Sequence, residues 1–292
     1  MASLKDLKNR IKSVKNTQKI TKAMKMVAAA KLRRAQEAAE AARPYAEKMT
    51  DVVTSLAAGV GSSDSAPVLL AGTGADKKHL LVVMTSDRGL CGGFNSSIVR
   101  AVRRKMRELQ SEGKQGYLFC VGRKGYEQLR FEFNSVILGR ISDHTKSKLN
   151  YATAQNVSDE VKKIFAEHHI DVVTVVYNHF KSAITQVVTF QQLVPLVVSA
   201  EQLAAASGSS YEYEPDAETI LEDLLPRNIT VQCFRALLEN SASEHGARMS
   251  AMDSATRNAG EMIGKLSLKY NRTRQAAITT ELTEIISGAE AV

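Results

Sequence analysis

Residues 1–43 contain neither glycine nor proline. Nothing else in the chain narrows its folding options so sharply. With no breaker, the segment predicts one uninterrupted helix that runs past Pro44 to about Leu56, a rod of about 85 Å. Leu4, Leu7, Ile11 and Val14 follow the spacing of a coiled-coil seam. Ile20, Met24 and Val27 are expected to resume that seam after a shift in phase. Lys5, Lys8, Lys12, Lys15, Lys19 and Lys22 repeat the spacing one residue later, so a basic stripe should run beside the apolar one.

The charge is unevenly placed. Twelve basic residues against three acidic ones give residues 1–43 a net +9, whereas the whole chain carries +8, so the remainder sums to −1. A basic arm on a neutral body implies an acidic or polyanionic partner for the arm. Nucleic acid is the disfavoured choice, because stacking calls for aromatic side chains and the first 44 residues have none. An acidic protein surface fits the stripe better. No apolar run approaches the roughly 20 residues of a membrane span, and "MASLKDLKNR" lacks the apolar core of a signal peptide. The expectation is a chain that does not insert into the membrane.

Gly, Ser and Pro mark residues 58–76 as a linker. Residues 77–205 then alternate strand and helix patterns. "HLLVVMT" (79–85), "YLFCV" (117–121), "DVVTVVY" (171–177) and "QVVTFQQLV" (186–194) read as strands. Helical spacing falls between them at Ile98, Val99, Val102, Met106 and Leu109, and at Leu149, Ala152, Val157, Val161 and Ile164. The pattern implies a small Rossmann-like α/β domain.

Residues 206–225 form a second linker with a short helix, and Pro226 suits the first turn of a helix that would run over 226–292. There Leu238, Ala242, His245, Met249, Met252, Thr256, Ala259, Ile263, Leu266 and Tyr270 repeat without a break at seam spacing. Gly246, Gly260 and Gly264 are small enough to let a partner helix come close. The fold class is therefore α/β, with a long antiparallel coiled coil made by the N-terminal helix (1–57) and the C-terminal helix, standing as a stalk on the Rossmann-like domain.

Chemistry is hard to find. "TSDRGLCGGFN" (85–95) follows a strand and opens a helix, where backbone N–H groups can hold a phosphate. It lacks G-x-G-x-x-G spacing and no phosphate loop occurs elsewhere, so Asp87, Arg88, Gly89, Gly92 and Gly93 read as a structural turn. Cys91, Cys120 and Cys233 are odd in number and far from any His at metal spacing. The six histidines show no metal or catalytic pattern. Neither a cofactor nor an enzyme in its own right is expected.

These segments resemble the gamma subunit of the F-type ATP synthase, the central rotor shaft of its catalytic head. "NRIKSVKNTQKITKAMKMVAAAKLRRAQ" (9–36), "TSDRGLCGGFN", "ENSASEHGARMSAMDSATRNA" and "LKYNRTRQAAITTELTEIISGAEAV" are similar to that family's motifs and occur in its order. The resemblance implies a left-handed antiparallel coil inside a hexamer of alternating alpha and beta subunits, with the α/β domain against the epsilon subunit and the c-ring. It implies that nucleotide sites belong to the hexamer. It points to Met24 and Lys25 as contacts of the beta-subunit levers, and to Arg274, Gln275 and Thr279 as contacts of a beta-subunit catch loop. Residues 196–216 contain no Cys, so the redox-active insert of photosynthetic members is not expected. Without a presequence, the cytoplasmic face of a bacterial inner membrane is the expected location.

Overall fold

The computed structural model describes residues 3–60, 67–142, 149–196 and 217–290. The chain divides into two compact units, Met1–Ala29 with Arg248–Val292, and Ala30–Ala247. Two helices span a large part of it, α1 over Leu4–Val60 and α6 over Ala217–Glu290. Both carry an internal proline, Pro44 and Pro226. Each deletes one helical hydrogen bond, a local cost of about 3 kcal/mol, so tertiary contacts must hold the helix. For α6 these are visible: Leu221 and Leu225 pack in one buried cluster with Val53 and Leu56 of α1. That packing carries α6 nine residues upstream of Pro226, where the sequence places its start. The part of the second linker over 206–216, and residues 61–66 of the first, lie outside the described residues.

Within Ala30–Ala247 the centre is a sheet of β1 (Lys78–Met84), β2 (Gln115–Val121), β3 (Ile137–Ile141), β4 (Val172–Phe180) and β5 (Gln186–Val194), in the order β3-β2-β1-β4-β5. The first four are parallel and β5 is antiparallel to β4. Side chains alternate in direction along a strand, and here both directions are buried. Leu80, Val82 and Met84 meet α5 (Tyr151–His168) and α6 on one face. Leu81 and Val83 meet α3 (Phe94–Ser111) and α4 (Arg123–Phe133) on the other. Burial on both faces is why β1 reads as a continuous apolar run.

Local signals agree with these elements. Asn150 caps α5, its side chain accepting the Thr153 N–H at 3.0 Å. Asp171 ties the start of β4 to that of β1 by accepting the N–H groups of Lys77 and Lys78, both at 2.9 Å. A short four-residue helix, α2 (Val68–Ala71), falls inside the segment read as linker. Neither α4 nor β3 stands out in the pattern; β3 is mostly half-buried, which blurs its periodicity.

Candidate functional site

In Met1–Ala29 with Arg248–Val292, the two helices are antiparallel and joined by polar contacts. Gln18 Nε2 donates to the Thr256 carbonyl at 3.4 Å, the Thr256 and Thr21 hydroxyls lie 2.8 Å apart, and Lys25 Nζ reaches Asp253 Oδ1 at 2.6 Å. On α1 the inward side continues through Leu7, Ile11, Val14, Gln18, Thr21, Lys25 and Ala28, all buried or half-buried. The expected phase shift is therefore absent. The seam keeps its spacing because polar residues fill it and find partners on α6, while Ile20 and Val27 stay 60% and 57% exposed. On α6 the expected seam is observed through Met252, Thr256, Ala259, Ile263, Leu266 and Tyr270, each buried or half-buried.

Of the three glycines expected to ease helix approach, Gly260 alone faces α1, where a Cβ would lie 3.1 Å from Gln18 Nε2. Gly264 has open space around it. Gly246 belongs to Ala30–Ala247, where it abuts the backbone of Ala183 in the β4–β5 hairpin.

The outward surface of the coil is basic and apolar together. Lys5, Lys8, Lys12, Lys15, Lys19 and Lys22 are all exposed, and none pairs with a described acidic side chain. Ile20, Met26 and Val27 are exposed on α1, as are Ile278, Leu282, Ile285 and Ile286 on α6. From Ile278 to Ser287 every residue of α6 is exposed. Met24 is half-buried, and Lys25 is half-buried with its ammonium group on Asp253. That ammonium group holds the Asp253 carboxyl below its ordinary value, with a smaller contribution from Arg257. Arg274, Gln275 and Thr279 are exposed on one stretch of α6, with the Thr279 hydroxyl donating to the Gln275 carbonyl at 2.9 Å.

The turn after β1 is built differently. Ser86 N–H donates to Asn95 Oδ1 at 3.0 Å, Asn95 Nδ2 donates to Ser86 Oγ at 2.8 Å, and Ser86 Oγ donates to the Arg88 carbonyl at 2.6 Å. Asp87, 4% exposed, accepts the Arg123 N–H at 3.0 Å, which ties the turn to the start of α4. Arg88, Gly92 and Gly93 are exposed and Gly89 is half-buried. Gly92 takes a positive φ of 57°. Cys91 is buried against Ser86 and Asn95. Burial alone raises the Cys120 thiol to about 12, and burial raises Cys233 to about 12 as well, against the pull of Lys162.

This turn lies where the chain leaves β1, the strand from which the sheet grows toward β2 on one side and β4 on the other. Open α/β sheets bind ligands at that reversal. Here α6 bonds the strand beside the turn. Asn178 of β4 donates its Nδ2–H to the Phe94 carbonyl at 3.3 Å, and its backbone is bonded by Asn240 and Ser243 of α6. Ala247 packs against the cluster that holds Phe94 and Val176. Among the described residues no group of three His, Cys, Asp or Glu side chains is placed to hold a metal ion.

Sequence reasoning placed Thr256 in the seam of α6 but missed Gln18, Thr21 and Asp253 as coil contacts. The signal was present, since the seam spacing runs on unbroken if polar residues are admitted to it.

A sequence profile of the family described as ATP synthase matches residues 3–292. The ATP synthase gamma chain of Sinorhizobium fredii is 60% identical, and that of Paracoccus denitrificans 58%, each comparison covering 100% of both chains. Among solved structures, the chain resembles one from the central stalk and c-ring of Tetrahymena thermophila mitochondrial ATP synthase, with a TM-score of 0.63 and 33% identity over 81% of this chain and 99% of that one. A chain of the Euglena gracilis mitochondrial ATP synthase shares the fold, with a TM-score of 0.69 at 21% identity over 99% of this chain and 94% of that one. With its profile match, its full-length relatives and its paired terminal helices, the chain belongs to the ATP synthase gamma-chain family.

Proposed function

We propose that the chain is the central rotor shaft of an F1Fo ATP synthase, linking proton-driven rotation of a c-ring to sequential conformational change at catalytic sites that lie on other subunits. The observation that carries this reading is the surface of the coil. A two-helix coil has no use for Ile20, Met26 and Val27 on its outside, yet all three are exposed on the helix that carries the row of lysines, and Ile278, Leu282 and Ile285 are exposed on the end of α6 beyond its last seam residue, Tyr270. Such a surface suits an enclosing collar that is apolar in places and acidic in others.

The mechanism follows from symmetry. A two-helix coil has no three-fold axis, so in a ring of three alpha and three beta subunits each beta subunit meets a different face of it. Different contacts favour different states of each catalytic site, and turning the shaft passes that bias around the ring. Met24 and Lys25 are the proposed contacts for beta-subunit levers, with Lys25 shared between the coil and an acidic lever. Arg274, Gln275 and Thr279 are the proposed contacts for a beta-subunit catch loop, where the Arg fork suits a carboxylate. The α/β unit would meet the epsilon subunit and the c-ring. The chain itself would be non-catalytic and peripheral, on the cytoplasmic face of a bacterial inner membrane. No described helix is long and apolar enough to cross a membrane.

The test is reconstitution of the full chain with alpha, beta and epsilon subunits. Co-purification of a stoichiometric complex whose ATP hydrolysis drives proton pumping in Fo-containing vesicles is the expected result. A chain that stays apart from the hexamer, or that binds duplex nucleic acid with a steep salt dependence, would remove this reading.

A further inference from the structure

In Ala30–Ala247, the end of β4 and helix α6 are joined by directed polar bonds, where a helix on a sheet is ordinarily held by apolar contact. Asn178, 1% exposed, donates its N–H to Asn240 Oδ1 at 3.1 Å, and its carbonyl accepts from Ser243 Oγ at 2.8 Å. One residue on, His179 Nδ1 meets Glu239 Oε2, and the second carboxylate oxygen lies 3.3 Å from Arg235 Nε. Glu239 is 3% exposed, so its charge is spent inside the protein. Upstream, Gln232 accepts from Gln191 Nε2 of β5 at 2.7 Å and donates to Thr50 Oγ1 of α1 at 3.1 Å. Gln232, Glu239, Asn240 and Ser243 fall at helical spacing on one face of α6.

We infer that this polar face is a keyed joint through which torque passes between the sheet and α6, an assignment that rests on the reading of the chain as a rotor. Apolar contact has no preferred direction, and packed helices shift by small sliding motions under load. A hydrogen bond to one main-chain group is met at a single axial position and a single rotation. Sliding α6 by one turn would strand the Asn178 backbone groups in a buried site without partners and part the Glu239 carboxylate from His179, leaving it Arg235 of its own helix, a large penalty. Buried polar contacts of this kind add little net stability over an apolar face but fix register. Such a property suits a joint that carries load.

The experiment compares coupling with catalysis in the reconstituted complex. N240L/S243A keeps the interface filled while removing both ties to Asn178. ATP hydrolysis by the soluble hexamer complex is expected to stay at the wild-type rate. Two hydrogen bonds are lost, each worth about a fivefold change in the ratio of keyed to slipped register, so protons pumped per ATP against an opposing gradient should fall. S243T retains the hydroxyl and should restore coupling to the single variant S243A. An unchanged pumping ratio in N240L/S243A overturns the joint, and so does equal uncoupling by S243T and S243A. Should the double variant not assemble, S243A alone decides, normal coupling in it counting against the proposal. A wild-type chain that neither assembles nor supports pumping would instead remove the rotor reading itself.

Discussion

Lys25 Nζ lies 2.6 Å from Asp253 Oδ1 across the antiparallel coil, so the one lysine of the early helix that turns inward meets an acid rather than solvent. Arg257 approaches the other carboxylate oxygen at 3.3 Å. The hydrogen bond from Lys25 lowers the Asp253 pKa from its ordinary 3.8. A depressed carboxyl stabilises the folded state above its unfolded value, and that stabilisation is lost as pH falls through the folded value. Thermal melting of the full chain should therefore become less stable as the pH drops below about 4, and D253N should flatten that acid limb. An acid limb of equal slope in both proteins would show that the pair is not coupled to folding.

The Thr21 and Thr256 hydroxyls, 2.8 Å apart, fill seam positions where apolar residues are usual. Either T21V or T256V removes the hydroxyl–hydroxyl contact, at a cost of about 1 kcal/mol, while the remaining hydroxyl keeps a main-chain carbonyl, that of Gln18 for Thr21 and that of Met252 for Thr256. The double variant T21V/T256V should cost less than the two singles added, because the shared contact is lost only once. Urea unfolding followed by helical circular dichroism measures all three. Strict additivity would mean the hydroxyls do not act together.

Gly122 has φ of 108°, and a Cβ there would sit 2.1 Å from the Thr85 carbonyl oxygen. That position joins the end of β2 to the start of α4 beside the turn after β1. G122A should destabilise the unit by about 3 kcal/mol or more, since both the backbone conformation and the contact are unfavourable. Proteolysis of the isolated chain is the simple readout. A variant as resistant as the wild type would contradict the geometry.

Asp87 and Asn95 use their side chains to hold the turn itself, and α6 bonds the strand beside it. Calorimetric titration of ATP or ADP into the isolated chain should give no saturable heat. D87A should leave that null result in place while lowering stability by about 1 to 3 kcal/mol, because the Arg123 N–H loses its acceptor. Tight nucleotide binding abolished by D87A would restore the turn as a phosphate site.

Arg274 is exposed on α6, beyond the residues that form the seam. R274A should leave the melting temperature of the isolated chain unchanged and lower ATP-driven turnover of the reconstituted complex about tenfold, the scale of a charged hydrogen bond lost at an interface. Equal turnover would take Arg274 out of the proposed catch-loop contact.

The sequence by itself determined the element types. The Gly- and Pro-free residues 1–43 specify a long helix, and a strand buried on both faces must be apolar throughout, so β1, β2 and β4 were legible as strands. The seam of α6 was legible for the same reason, because the period of its apolar residues records one buried side. Tertiary structure decided what depends on partners far along the chain. Gln18, Thr21 and Lys25 belong in the seam because Asp253 and Thr256 await them, and their polarity hid them from a reading based on apolar spacing. The start of α6 ahead of Pro226 depends on Leu221 and Leu225 finding Val53 and Leu56. The turn after β1 keeps the form of a ligand site, but Asn240 and Ser243 bring the chain's own helix to the strand beside it. Periodicity reports which side of an element is buried, whereas a polar group's place is set by the partner that satisfies it, and that partner is found only when the chain has folded.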